Sequence, residues 1–96
     1  MSDEAATKRD LQLKRVYLED WAVEIDKERR RHEEDRERLI EQLRGDLSKD
    51  ERMASERRLT YIALRMLVLI EERASAVQER ISIVARLREI QAAEMP

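Results

Sequence analysis

The stretch Leu59–Ile70, LTYIALRMLVLI, constrains this chain most, because apolar residues crowd almost every side of a helix there. An amphipathic helix buries one apolar stripe, with members three or four residues apart. Leu59, Ile62, Met66, Leu69 and Ile70 make such a stripe. Tyr61, Leu64, Leu67 and Val68 fill much of the remaining circumference, and Arg65 is the one charge. A helix that is apolar nearly all round packs against more than one neighbour. The run is too short for a membrane span, which takes about 20 apolar residues. Its Ala, Leu, Met and Arg are helix formers and no Gly or Pro brackets it, which favours helix over a buried strand. The segment is therefore expected to be the most buried helix of a helical assembly.

The rest of the composition agrees with long helices. Charged residues make up 44% of 96 positions, with one Gly, one terminal Pro and no Phe. This is the profile of long helices or a coiled coil, and the length fits one domain. Basic and acidic residues number 20 and 22, a net charge of −2, so no global field draws the chain to nucleic acid or an anionic membrane. With no Cys there is neither a disulfide framework nor thiol chemistry. The polar start, MSDEAATKRD, has no secretory signal, and a cytoplasmic location is the expectation.

Met1–Thr7 is expected to fray, with Ser2 or Asp3 as a cap and Asp3 and Glu4 favourable beside it. A helical period then runs through Leu11, Val16, Leu18, Trp21, Ala22 and Ile25. Asp26–Arg38, DKERRRHEEDRER, is thirteen residues without an apolar side chain, and the period resumes at Leu39, Ile40 and Leu43. Pairs four apart, Asp26 with Arg30 and Glu34 with Arg38, support this exposed helix. The break falls at Arg44-Gly45-Asp46-Leu47-Ser48. Gly45 suits the left-handed residue just past a helix end, with Arg44 in the last turn. Ser48-Lys49-Asp50-Glu51 matches the capping box S-x-x-E. A stop signal followed by a start signal is the pattern of an αα-hairpin. Helix 1 is expected over about 4–44, the turn over 45–48 and helix 2 over about 49–93, each helix about 60 Å long. On helix 2, Ala74, Val77, Ile81, Val84 and Leu87 share one face, and Leu69, Ala76, Ile83 and Ile90 lie beside it.

Folded at this turn, residue i meets about residue 93 minus i, so the central run faces the charged segment. Arg and Lys stems cover some apolar surface, but not on several sides at once. A lone hairpin also has little core for its size. The expected architecture is thus all-α: two long antiparallel helices, a coiled-coil-like hairpin, assembling as a homodimeric four-helix bundle with the second helices central. Residues expected at the oligomer or partner interface are Leu59, Ile62, Met66, Leu69, Ile70, Ala76, Val77, Ile83, Val84 and Ile90. A heterologous partner helix would use the same surface, and no membrane partner is expected.

His32 lies one heptad from both Ile25 and Leu39, which places it on the seam near Tyr61. A packed polar residue is the plain reading, and a pH switch or metal ligand the sharper ones. The di-iron pattern Glu-x-x-His is absent, since Arg29 stands in the Glu position. Arg29, Arg30, Arg36 and Arg38 form a charged docking face, on which phosphate contacts are conceivable. Interleaved Glu28, Glu33, Glu34, Asp35 and Glu37, and the lack of an aromatic platform, favour a solvated salt-bridged face instead. Trp21 reads as bundle packing. No catalytic triad, phosphate loop, zinc motif or cofactor fingerprint is present. The expected function is non-enzymatic: a self-associating hairpin serving as a structural, scaffold, adaptor or small chaperone-like protein. A nucleic-acid-associated bundle using the Arg-rich face is the alternative, and a metal-binding bundle ranks below it.

Overall fold

The computed structural model describes Ser2–Met95, with side chains from Ala6 onward. Two helices, α1 (Ser2–Leu43) and α2 (Lys49–Glu94), pack against each other as a hairpin. Helix α1 already includes Ser2–Thr7, where fraying was expected. The expected cap by Ser2 or Asp3 lies outside the described side chains.

The turn forms where the stop and start signals meet, but the stop works differently. Gly45 has no positive φ, so the left-handed cap does not form. Instead the Arg44 and Gly45 N–H groups donate to the Glu41 and Gln42 carbonyls, at 3.2 and 3.1 Å. Such three-residue bonds tighten a helix end and use up its last carbonyls. Arg52, in the first turn of α2, donates from Nη2 to the Leu43 carbonyl at 3.4 Å. With these acceptors served, nothing requires glycine's extra conformational range. The start signal does what its spacing implies. Ser48 Oγ accepts the Glu51 N–H at 3.2 Å, and the Ser48 carbonyl accepts the Arg52 N–H at 2.9 Å.

The chain divides into two units, Ile25–Glu72, and Met1–Glu24 with Arg73–Pro96. In Ile25–Glu72, Ile25, Ile62 and Leu69 are buried, and Leu39, Leu43, Leu59 and Met66 are half-buried. The spacing of three and four along each helix is that of a coiled-coil seam. Two members on α1, Arg29 and His32, are polar and half-buried. In the other unit Leu18, Ala76 and Ile83 form the core, with Leu11 and Leu87 packed against it. Ion pairs Lys14–Glu79 at 2.6 Å, Arg80–Glu19 at 2.8 Å and Lys8–Glu94 at 3.0 Å join its two helical segments. Trp21 does not enter this core. It is 37% exposed, its ring centroid 6.4 Å from that of Tyr17, because the seam runs through Leu18 and Ala22 and leaves Trp21 beside it.

The turn chemistry has a measurable consequence. A Cβ at Gly45 would meet only the Gln42 carbonyl oxygen, at 3.5 Å, which is ordinary contact. Gly45→Ala is therefore expected to stabilise the chain by about 0.4–1 kcal/mol through the unfolded state. Ser48→Ala is expected to cost about 0.5–2 kcal/mol through the lost cap. Urea melts of both variants check this pair, and a destabilised Gly45→Ala would mean that the turn needs a left-handed residue after all.

Candidate functional site

The densest side-chain chemistry lies within Ile25–Glu72, on the charged segment of α1. Positions 28, 32 and 35 recur at helical spacing and share one side, as do 58, 61 and 65 on α2. Arg65 holds Glu28 with two bonds, Nε to Oε2 at 2.7 Å and Nη2 to Oε1 at 3.2 Å. His32 Nε2 lies 3.2 Å from Glu28 Oε2 and, against an ionised carboxylate, is the donor. The His32 ring meets Tyr61 edge-on, centroids 6.3 Å apart at 73°. Arg58 stacks over Tyr61 at 5.0 Å and reaches Asp35 Oδ2 at 3.6 Å, while Arg38 also bonds Asp35. These groups border an open hollow of about 650 Å³ lined by Glu28, Arg31, His32, Asp35, Tyr61 and Arg65. The fold-back rule, residue i against about residue 93 minus i, holds for the Glu28–Arg65, His32–Tyr61 and Asp35–Arg58 contacts.

The Arg65 hydrogen bonds hold the Glu28 carboxyl below the usual carboxylate range, with His32 adding to the effect and desolvation opposing it. The same pairing raises Arg65. A carboxylate stabilised in this way is a weak proton acceptor, so the cluster works as a lock between helices. His32 meets the single carboxylate of Glu28, and its Nδ1 is buried without a hydrogen bond. Among the described residues no group of three or more His, Asp or Glu side chains is placed to hold a metal ion.

The charged docking face is partly spent on ion pairs. Arg29 is half-buried, its Nε 3.8 Å from Glu33, and Arg38 turns to Asp35 rather than to Glu34. Arg30 and Arg36 are exposed. The segment is not simply an outward face. Asp26, Glu28, Arg29, His32, Glu33 and Asp35 are half-buried, which leaves its other side to water.

The expected interface residues separate into three groups. Ile62, Leu69, Ala76 and Ile83 are buried within the hairpin. Leu59, Met66, Val77, Val84 and Ile90 are half-buried, and Ile70 is 51% exposed. Exposed apolar residues that the sequence reading did not place at an interface include Leu64, Leu67, Val68 and Ile81 on α2, and Leu13, Tyr17 and Val23 on α1. Counting heptads from Leu69 marks the α2 set, because Leu67 and Ile81 fall outside the seam spacing. The Glu28–Arg65 lock was likewise missed, although the fold-back rule pairs those opposite charges. No helix among the described residues is long and apolar enough to cross a membrane. The chain matches no protein-family model, no curated protein and no solved structure in the three comparisons.

The lock has a definite pH signature. Because Glu28 is lowered from 4.5, its contribution to stability is present above pH 4.5 and lost as pH falls through the folded-state value. Glu28→Gln is therefore expected to melt below the parent at pH 7, with the difference closing below pH 4.5. A difference that stays constant on acidification, read by circular dichroism melts, would show that the Glu28 charge does not hold the helices.

Proposed function

We propose that this chain is a non-enzymatic, self-associating helical hairpin with a structural, scaffolding, adaptor or small chaperone-like role. One observation carries the reading: the helix with the more apolar sequence leaves much of that surface open. Leu64 is 60% exposed, Leu67 59%, Ile70 51% and Ile81 53%, all on α2. Contiguous exposed apolar surface on a soluble chain marks a place of association. The alternative apolar destination, a bilayer, lacks a helix of sufficient length and hydrophobicity among the described residues. A four-helix bundle built from two hairpins is the economical assembly, because closed two-fold symmetry lets one surface cover itself.

Sedimentation equilibrium on the full chain tests this directly. The expected result is a mass above the 11.5 kDa monomer that rises with concentration. A folded monomer at every concentration up to several hundred micromolar would overturn the proposal.

A further inference from the structure

The hollow within Ile25–Glu72 holds hydrogen-bond donors that the lock between the helices leaves unused. It is lined by Glu28, Arg31, His32 and Asp35 from α1 and by Tyr61 and Arg65 from α2. Both carboxylates are already engaged. Glu28 Oε1 accepts from Arg65 Nη2, and Glu28 Oε2 accepts from Arg65 Nε and faces His32 Nε2. Asp35 bonds Arg38 and lies 3.6 Å from Arg58 Nη2. The donors are not spent in the same way. A guanidinium carries more N–H groups than the two bonds Arg65 gives to Glu28. Among the described residues Arg31 makes neither a hydrogen bond nor an ion pair. Helical spacing offers it Glu28 and Asp35, but Arg65 holds the first, and Arg38 and Arg58 hold the second. Four guanidinium groups thus stand around two carboxylates.

We infer that this hollow binds a phosphate group, free or carried on a small molecule, which Arg31 on α1 and Arg65 on α2 share. A phosphate brings several acceptor oxygens and full negative charge. It therefore suits a site whose carboxylates are spent and whose guanidinium donors are not. It also offsets a local excess of positive charge, which the chain as a whole, at −2, does not have. Tyr61 adds a hydroxyl that makes no hydrogen bond among the described residues. At about 650 Å³ the hollow falls within the roughly 300–1,000 Å³ of small-molecule sites, so a carrier group has room beside the phosphate. A long polyanion fits less well, because Glu33, Glu34 and Glu37 stand on the same segment of α1. The hollow is open to water, so binding is expected to be weak. A phosphate shared by both helices ties α1 to α2 within this unit and stabilises it by mass action.

The test titrates the full chain with inorganic phosphate and, separately, with phenyl phosphate, at neutral pH and an ionic strength held constant with chloride. Arginine Nε–H resonances report the site. Saturable shifts confined to Arg31, Arg65 and their neighbours are expected with at least one probe. Saturation by inorganic phosphate means that the group alone suffices, and saturation by phenyl phosphate alone means that a carrier is required. Arg31→Gln is expected to weaken binding at least about tenfold, and Arg31→Lys, which keeps the charge without the planar fork, to weaken it less. Arg31 makes no bond that the fold uses, so both variants are expected to keep their helical circular dichroism. Arg36→Gln removes the same charge outside the hollow and is expected to leave binding unchanged. The bound probe is also expected to raise the melting temperature of the parent and not that of Arg31→Gln. Shifts that fail to saturate with either probe, or an Arg36→Gln variant weakened as much as Arg31→Gln, would overturn the inference. The site lies within one chain, so either result leaves the proposed self-association standing.

Discussion

A helix in a two-helix hairpin has one neighbour, so it can hide one stripe of its surface. Helix α2 has two apolar stripes and α1 barely one. That imbalance decides what is buried and what stays open. Ile62 and Leu69 are almost wholly covered, whereas Leu67 and Ile70, one or two positions away, keep more than half their surface in water. Rotating α2 to hide the second stripe would expose the first. The polar residues confirm the orientation, because Arg65, the one charge in the central run, is turned to Glu28.

Helix α1 meets this apolar partner with a seam that is partly cationic. Arg15 and Arg29 occupy seam spacings, each with its Nε buried without a hydrogen bond and 3.8 Å from the carboxylate four residues on. Their heads reach toward Glu19 and Glu33, and stems of this length can cover apolar surface. Such a seam gains less from burial than a row of Leu and Ile would. Register is set in part by charge, through Glu28–Arg65 and Asp35–Arg58 in one unit and Lys14–Glu79 in the other. Exposed pairs of this kind contribute little singly, and a bidentate Arg–carboxylate pair is the better-defined member.

The hairpin was legible in the sequence because its signals are local. The Ser48 cap depends on a few consecutive residues, and its bond from the Glu51 N–H formed. Gly45 misled because a lone glycine after a helix implies a left-handed residue only when no other group serves the last carbonyls. Arg52 serves one of them from across the turn, a contact that no local pattern contains. The two apolar lines on α2 were visible as periodicities, Ala74 and Val77 on one face and Leu69 and Ala76 on the other. Which line α1 would cover was not visible, since that depends on the pairing of whole helices. Of the cluster around Glu28, His32 beside Tyr61 was expected from the fold-back, whereas the Glu28–Arg65 pair, 37 positions apart in the chain, was not.

Side-chain footprinting with a carbene probe, over a dilution series, tests the division between covered and open stripes most directly. Ile62 and Leu69 should stay unlabelled throughout, because the hairpin alone covers them. Leu67, Ile70 and Ile81 should label strongly in dilute solution and become protected as concentration rises. Equal labelling of the two stripes, or labelling of Leu67, Ile70 and Ile81 that is unchanged by concentration, would contradict a hairpin that covers one stripe within itself and, as proposed, closes the other by self-association.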